Sequence, residues 1–447
     1  MKKLLIAAAV SAVMSAPAFA TNGYAPIGVG QSAKGIGGAG IAYPQDSMAG
    51  GINPAGMVHI GNRWDVGAEI FIPDRGFNLS GTPSPTNPFG GYWDGNGSGL
   101  GETWFIIPEF GYNKMLSDDL SVGISVFGNG GLNTSYDSFG HPFSFFPCQN
   151  PVDPTGCGAK VGIDLIQLYI APTVSYKVNE RFSVGASLNL IAQSFEATGL
   201  FAFAGDGVTA PRFSTDPSAV TNNGHDNSYG ASLRLGLMYD INDRVTIGAT
   251  YQTKGWMTEF DDYAGLFADG GDFDIPQNYG IGIAIKATDK LDLAMDIMRV
   301  DYGSINAVGN SPNTQLPFGA DDGPGFGWED QTIFKVGAVY QYNSALTLRA
   351  GYNYGENPVQ TEGLGFALNT LAPGVSEHHL TLGFTYDLDE DTSITGSYLH
   401  AFSSEVAGDF IVPVPDPNTG IPAPTQLGSG NLEMSQNAFG ISFNKRF

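Results

Sequence analysis

Six histidines and two cysteines among 447 residues leave little material for metal or nucleophilic chemistry. His378 and His379 are adjacent in a strand-like stretch, so their rings point to opposite faces and cannot hold one ion together. His400, beside Tyr398, would need a partner serine. No G-x-S-x-G elbow, H-E-x-x-H or G-x-x-x-x-G-K-[ST] motif supplies one, or any other reacting group, so the chain reads as a non-enzyme with phospholipase the one activity worth an assay. Gly35-Ile-Gly37-Gly-Ala-Gly40 matches G-x-G-x-x-G formally, but no strand precedes it, and close backbone packing is the better reading than a dinucleotide. No metal and no cofactor are expected. Cys148 and Cys157 share one Pro/Gly-rich segment, and in an exported chain that context favours a loop-closing disulfide.

The elements around these residues say more. Residues 1–20 combine Lys2-Lys3, an apolar stretch from Leu4 to Val13 and Ala18-Phe19-Ala20, which predicts a secretory signal peptide cleaved before Thr21. No later apolar run reaches the length of a membrane helix. With 62 glycines, 12% aromatic and only 14% charged residues, the composition suits strands and turns. A net charge of -24 excludes nucleic acid as a partner. The closing segment alternates Phe439, Ile441, Phe443 and Phe447 with Gly440, Ser442, Asn444 and Arg446, and only Lys445 interrupts the apolar face. That is a lipid-facing barrel strand with a terminal aromatic residue.

Similar alternation recurs near 63–71, 103–115, 120–129, 162–177, 181–198, 228–239, 245–260, 278–287, 291–302, 331–341, 346–355, 378–387, 392–402 and 434–447. Short turns such as Val178-Asn179-Glu180 and Asp389-Glu390-Asp391 alternate with long loops. The expectation is an all-β fold, a 14-stranded antiparallel transmembrane β-barrel over 63–447. Leu120, Val122, Ile124 and Val126 should face lipid, with Ser121, Gly123 and Ser125 inside. Residues 21–62, which hold the glycine run and Asn53-Pro54-Ala55, lack the periodic hydrophobicity for a core of their own and should pack against something else.

Ser32-Ala-Lys-Gly35 through Gly40, followed by Asn53-Pro54-Ala55, resembles the N-terminal hatch of the FadL/TodX family of outer-membrane transporters of hydrophobic compounds. Val122 through Leu132, Tyr176 through Ala186 and Ser397-Tyr398-Leu-His400 extend the resemblance over the mature chain. It implies an outer-membrane barrel of a Gram-negative bacterium, plugged by a hatch gated at Asn53, Pro54 and Ala55. It also implies a kink in the third strand at Gly128, Asn129, Gly130 and Gly131 that opens the wall sideways. Lateral release makes physical sense, because each methylene moved into water costs about 0.8 kcal/mol.

Leu200, Phe201 and Phe203, with Leu266 and Phe267, are apolar clusters in loops that should otherwise be polar, and the resemblance makes them the external ligand groove. His141-Pro-Phe143-Ser-Phe145-Phe146 adds aromatics at the entrance. Where the fatty-acid members carry a basic residue this chain has Gln193, which alternation turns inward. Lys335 and Arg349 also face inward and are candidate contacts for a carboxylate, or partners of Asp296. The expected function is passive uptake, with long-chain fatty acids first and neutral aromatic or aliphatic hydrocarbons as the alternative. A general porin and a lipase rank lower. The partners implied are hydrophobic small molecules, outer-membrane lipid and lipopolysaccharide, and the barrel-assembly machinery, with the protein acting as a monomer.

Overall fold

The computed structural model describes residues 22–81, 92–97, 103–137, 141–145, 160–204, 213–415 and 422–447. Cys148, Cys157 and the expected signal peptide lie outside them. Fourteen strands form the barrel: β1 (Arg63–Ser80), β2 (Phe105–Met115), β3 (Leu120–Tyr136), β4 (Val161–Asn179), β5 (Phe182–Thr198), β6 (Asp226–Asn242), β7 (Val245–Gln252), β8 (Asn278–Lys286), β9 (Leu291–Val300), β10 (Gln331–Gln341), β11 (Leu346–Gly355), β12 (His378–Asp387), β13 (Thr392–Pro415) and β14 (Pro422–Arg446). Each is antiparallel to its neighbours in chain order, and β14 returns to β1 in a register running from Arg63↔Arg446 to Ser80↔Ser429. Closure removes the open edges that a sheet in lipid cannot tolerate. Two short strands, Tyr92–Asn96 against β1 and Trp256–Met257 against β6, ride on the outer rim.

Each stretch of alternation contains one of these strands, but several ends move. β1 runs to Ser80, β13 to Pro415, and β14 already begins at Pro422. Above the bilayer the outward face can carry Glu405, Asp409, Asn431 and Glu433, so the ladder continues after the apolar signal has stopped. β7 does the reverse and ends at Gln252 instead of near 260. There the Thr253 hydroxyl accepts from Leu233 N at 3.1 Å, in place of a ladder carbonyl, and Gly255 pairs with Ile275.

Across the membrane-spanning part of the strands the outward register is apolar. Leu233, Leu235 and Leu237 on β6 and Phe439, Ile441 and Phe443 on β14 are exposed on the isolated barrel, where hydrocarbon would cover them. Phe447 stacks on Tyr112 with ring centroids 5.8 Å apart, beneath the Lys114 ammonium. The terminal aromatic therefore belongs to the periplasmic girdle on the outer surface.

The inward register changes character along each strand. From the outer end of β4 it reads Val161, Ile163, Leu165, then Gln167 and Tyr169, then Ala171, Thr173 and Ser175. β5 repeats the gradient in reverse, from Ser183, Gly185 and Ser187 to Phe195 and Ala197. A small, polar lower lumen thus meets an apolar upper one.

Candidate functional site

The lower lumen holds most of residues 22–62, while Tyr24 reaches up into the aromatic residues Phe273, Tyr302 and Trp328. A single α-helical turn, Gln31–Lys34, and two 3-10 helices, Ser47–Gly51 and Pro54–His59, are too short to be stable alone. They are held by the wall. Asn53 caps the last helix by accepting from Ala55 N at 3.1 Å, and its Nδ2 donates to Ile41 O at 2.6 Å and Leu237 O at 3.1 Å. The Ala55 carbonyl accepts from Ser175 and Ser183 at 3.0 and 3.2 Å. Asn53-Pro54-Ala55 is therefore fastened to β4, β5 and β6 at once.

Such proximity needs a wall without side chains. A Cβ at Gly185 would overlap Pro54, one at Gly236 would overlap Asn53, and one at Gly351 would overlap Ile36 and Gly37. Glycine stands at Gly185 and Gly351 because backbone meets backbone there, and at Gly236 because the Asn53 side chain and the Pro54 ring lie against the strand. Between the contacts lie charged ties. Lys34 Nζ reaches Glu69 at 2.8 Å, Gln31 Nε2 donates to Glu109 at 3.0 Å, and Asp296 accepts from Gly40 N and Ile41 N at 2.7 and 3.1 Å. Arg63 holds Asp65 at 2.6 Å, and that carboxylate accepts from Ser47 N at 2.9 Å.

The upper lumen is an aromatic core. Ile163, Phe195, Leu200, Phe203, Leu266, Phe267, Phe318 and Leu371 are among the residues around about 390 Å³ of atom-free space, open mouth included. The two loops singled out in the sequence thus meet across one cavity through Leu200, Phe203, Leu266 and Phe267. Phe201 is half-buried and is not among its lining residues. Phe195 and Phe318 were missed. Phe318 lies in a loop without periodicity, whereas Phe195 could have been found from the inward register of β5.

His141 seals this core from above, with its ring 4.5 to 5.8 Å from those of Phe77, Tyr136, Phe143 and Phe410. Burial pushes its imidazole down to about 3, so the ring is neutral. Nδ1 accepts from Phe143 N at 3.1 Å, which leaves Nε2–H to donate to Thr370 Oγ1 at 2.8 Å. Phe143 in turn sits edge-on to Phe203 at 4.9 Å.

The Gly128–Gly131 stretch does not end β3. Asn129 bulges out of the ladder with β4, where Gly128 pairs with Leu168 and Gly130 already with Gln167. On the other side the ladder to β2 stops at Phe110↔Val126, although β2 continues to Phe105 along β1. Phe105–Glu109 therefore face Phe127–Gly131 with no ladder between them. Gly131 N donates instead to Tyr24 O at 3.2 Å. Pro108 lies in the unpaired stretch of β2, and Pro73 lies on β1 just past its last partner there, Phe71↔Phe105. Proline is suited to strand edges that need no donor.

Two spaces border the interruption. About 300 Å³ lies among Phe71, Arg75, Phe105, Gly131, Leu132, Ala372 and their neighbours, and about 350 Å³ among Ile27, Lys34, Glu69, Phe71, Ile107, Gly128 and theirs. Both volumes include their open mouths.

The inward polar candidates are all engaged. Gln193 Nε2 donates to Phe273 O at 2.9 Å. Lys335 donates to Ile27 O at 2.7 Å and is the cross-strand partner of Asp296. Arg349 donates to Gln45 and to Thr385, at 2.9 and 2.7 Å. Sequence reasoning passed over Arg234, which donates to Gln252 at 2.6 Å and Ile52 O at 3.2 Å. Its signal was a lone inward cation between two outward leucines.

A closed barrel with an occupied lower lumen, an aromatic upper cavity and an interrupted wall defines an outer-membrane channel for hydrophobic molecules. The chain belongs to the outer membrane protein transport protein family (OMPP1/FadL/TodX), whose model matches residues 7–447. A search of curated protein sequences gives no match. Among solved structures, the Pseudomonas putida toluene transporter TodX is similar at 20% identity over 94% of this chain and 99% of its own, with a TM-score of 0.63. A Pseudomonas aeruginosa FadL homologue gives 16%, 95%, 100% and 0.65. The Ralstonia pickettii toluene transporter TbuX gives 19%, 94%, 99% and 0.59.

Proposed function

We propose that the protein takes up neutral hydrophobic molecules passively, gathering them in the upper cavity and releasing them sideways into the bilayer between β2 and β3. The observation that carries this reading is the unpaired stretch of wall from Phe105 to Glu109 against Phe127 to Gly131, with largely apolar space immediately behind it. In hydrocarbon an open ladder is costly, so one that persists needs a compensating use. Outward apolar side chains such as Ile72 and Ile106 flank the interruption, so a molecule leaving there enters lipid. Residues 22–62 plug the direct route, with Asn53, Pro54 and Ala55 as the fastening. No energy source is needed, because each step moves the molecule between apolar surroundings.

Long-chain fatty acids, first on the sequence, take second place. Lys335, Arg349 and Arg234 donate to the N-terminal segment or to lumen side chains, and Gln193 to Phe273 O. Among the described residues, no charged side chain lines the upper cavity. Aromatic hydrocarbons suit its phenylalanine walls, and two of the similar structures are toluene transporters. The lipid of the outer membrane is the receiving partner, and the Phe447 strand is the one read by the assembly machinery.

The test is to close the wall. Cysteines at Phe105 and Gly131, which both border the first of those two spaces, the side cavity, can be joined by a short reducible crosslinker in a chain whose Cys148 and Cys157 are serines. Uptake of labelled toluene should stop, binding should persist, and reduction should restore uptake. Undiminished uptake after complete crosslinking would overturn lateral release.

A further inference from the structure

Among the described residues, the upper cavity and the side cavity share no lining residue. One segment between β11 and β12 separates them. Leu368 and Leu371 face the upper cavity, whereas Ala372, Pro373 and Gly374 line the side cavity, so the boundary falls between two consecutive residues. Thr370, Leu371 and Ala372 are at most 2% exposed.

β3 holds this segment by its outer end, beyond the bulge. Thr134 Oγ1 donates to Leu371 O at 2.8 Å, Tyr136 OH donates to Thr370 O, and His141 just past the strand donates to Thr370 Oγ1 at 2.8 Å. From the opposite side, Trp328 Nε1 donates to Asn369 Oδ1 at 2.6 Å, and a Cβ at Gly374 would touch the Trp328 ring. The strand that interrupts the wall is therefore the strand that grips the partition. Movement of β3 at its bulge would shift both together.

We propose that Thr370–Gly374 is the internal partition a substrate must displace to pass from the upper cavity to the side exit, and that Leu371 and Ala372 set the size of molecule admitted. The proposal rests on the uptake reading above. Leu371 is the bulk to be moved aside, and Ala372 is small where the passage beyond it is narrow. Thr134 is a positioning residue, acting through the Leu371 carbonyl without touching the molecule in transit.

Toluene and anthracene serve as probes, with uptake followed in cells and binding measured on purified protein in nanodiscs. Ala372→Phe should lower uptake of both at least tenfold while binding changes less than twofold. Leu371→Ala and the near-isosteric Thr134→Val should raise the anthracene-to-toluene uptake ratio severalfold. Thr134→Val also covers failure of Ala372→Phe to insert, since it removes a single hydrogen bond. Wild-type rates in Ala372→Phe, or an unchanged ratio in both other variants, would overturn the partition and leave the uptake reading intact. Absence of toluene uptake by the wild-type protein would overturn both.

Discussion

The two halves of the lumen share strands and solve opposite problems. Below, β4 to β6 present Ser175, Ser183, Gly185 and Gly236 to a segment fixed by directional hydrogen bonds. Above, the same strands and their loops present Ile163, Phe195 and Phe203 to a cavity lined by carbon. Directional bonds specify one position for the segment, and each needs its partner at a set distance. Apolar contacts are non-directional and accept molecules of several shapes. A channel that must stay shut to ions and open to greasy molecules needs the first kind beneath the second.

The contrast breaks most completely at a glycine of the lower half. Gly236→Val would place methyl groups where Asn53 and Pro54 now lie, and relief requires the N-terminal segment to move. Overpacking of this kind costs about 1–3 kcal/mol even where neighbours relax. Conductance in planar bilayers should rise at least tenfold, while heat-modifiable barrel is recovered in normal amount. The outward neighbour Leu235→Val should leave conductance and barrel recovery at their wild-type values. Wild-type conductance in Gly236→Val would mean that the segment is not the seal.

In the upper half the equivalent change should leave the seal alone. Phe203→Ala removes a ring that meets Phe143 at 4.9 Å and Phe318 at 5.1 Å. Binding of toluene should weaken roughly tenfold, in line with the ~1.5–3 kcal/mol of a buried phenylalanine. Conductance should stay at its wild-type value. A conductance change here, or none in affinity, would erase the distinction between the halves.

The fold was legible to the extent that lipid dictated it. Outward positions must be apolar, so alternation located each strand and its facing. Strand ends at the outer rim were lost, because β13 and β14 continue through Glu405 and Asn431, where water imposes no pattern. The site was legible only where residues broke an expectation. Leu200, Phe203, Leu266 and Phe267 stood out as carbon in loops, whereas Phe195 was hidden in a strand, where apolar residues are expected anyway. The interruption at β3 was indicated by Gly128, Gly130 and Gly131. The prolines facing it, Pro73 and Pro108, carried the same information unread.

Asn53 offers a milder test of the lower half. Asn53→Ala removes a cap and two donations to Ile41 O and Leu237 O, leaving those carbonyls to other partners. Loss of the cap is worth about 1 kcal/mol. Conductance should rise severalfold, less than in Gly236→Val, because the glycine socket still fits. An effect as large as that of Gly236→Val would locate the whole fastening in one side chain.

The smallest expected effect lies on the outer rim, above both halves. His225 joins β4 to β5, with Nε2 at 3.1 Å from Asp164 and Nδ1 at 3.4 Å from Glu196. Its hydrogen bond to Asp164, and attraction to Asp164 and Glu196, raise the imidazole above its ordinary value, against partial burial and Lys160. A histidine raised in the folded state contributes stability that is complete below its unfolded value, near 6.5, and is lost as pH rises through the folded one. Solvent screens a side chain 45% exposed, so the contribution is on the order of 0.5 kcal/mol. Amide exchange around residues 222–226 should therefore be slower at pH 5.5 than at pH 8 after correction for intrinsic rates, and His225→Gln should abolish the difference. The difference should be smaller around Asn53, where the fastening is made by amide, hydroxyl and carbonyl groups and only His59, through Ser183, brings a titratable side chain to it. Equal pH dependence at both places would mean that charge pairing on the rim is transmitted to the plug, and that the two halves are less independent than their chemistry implies.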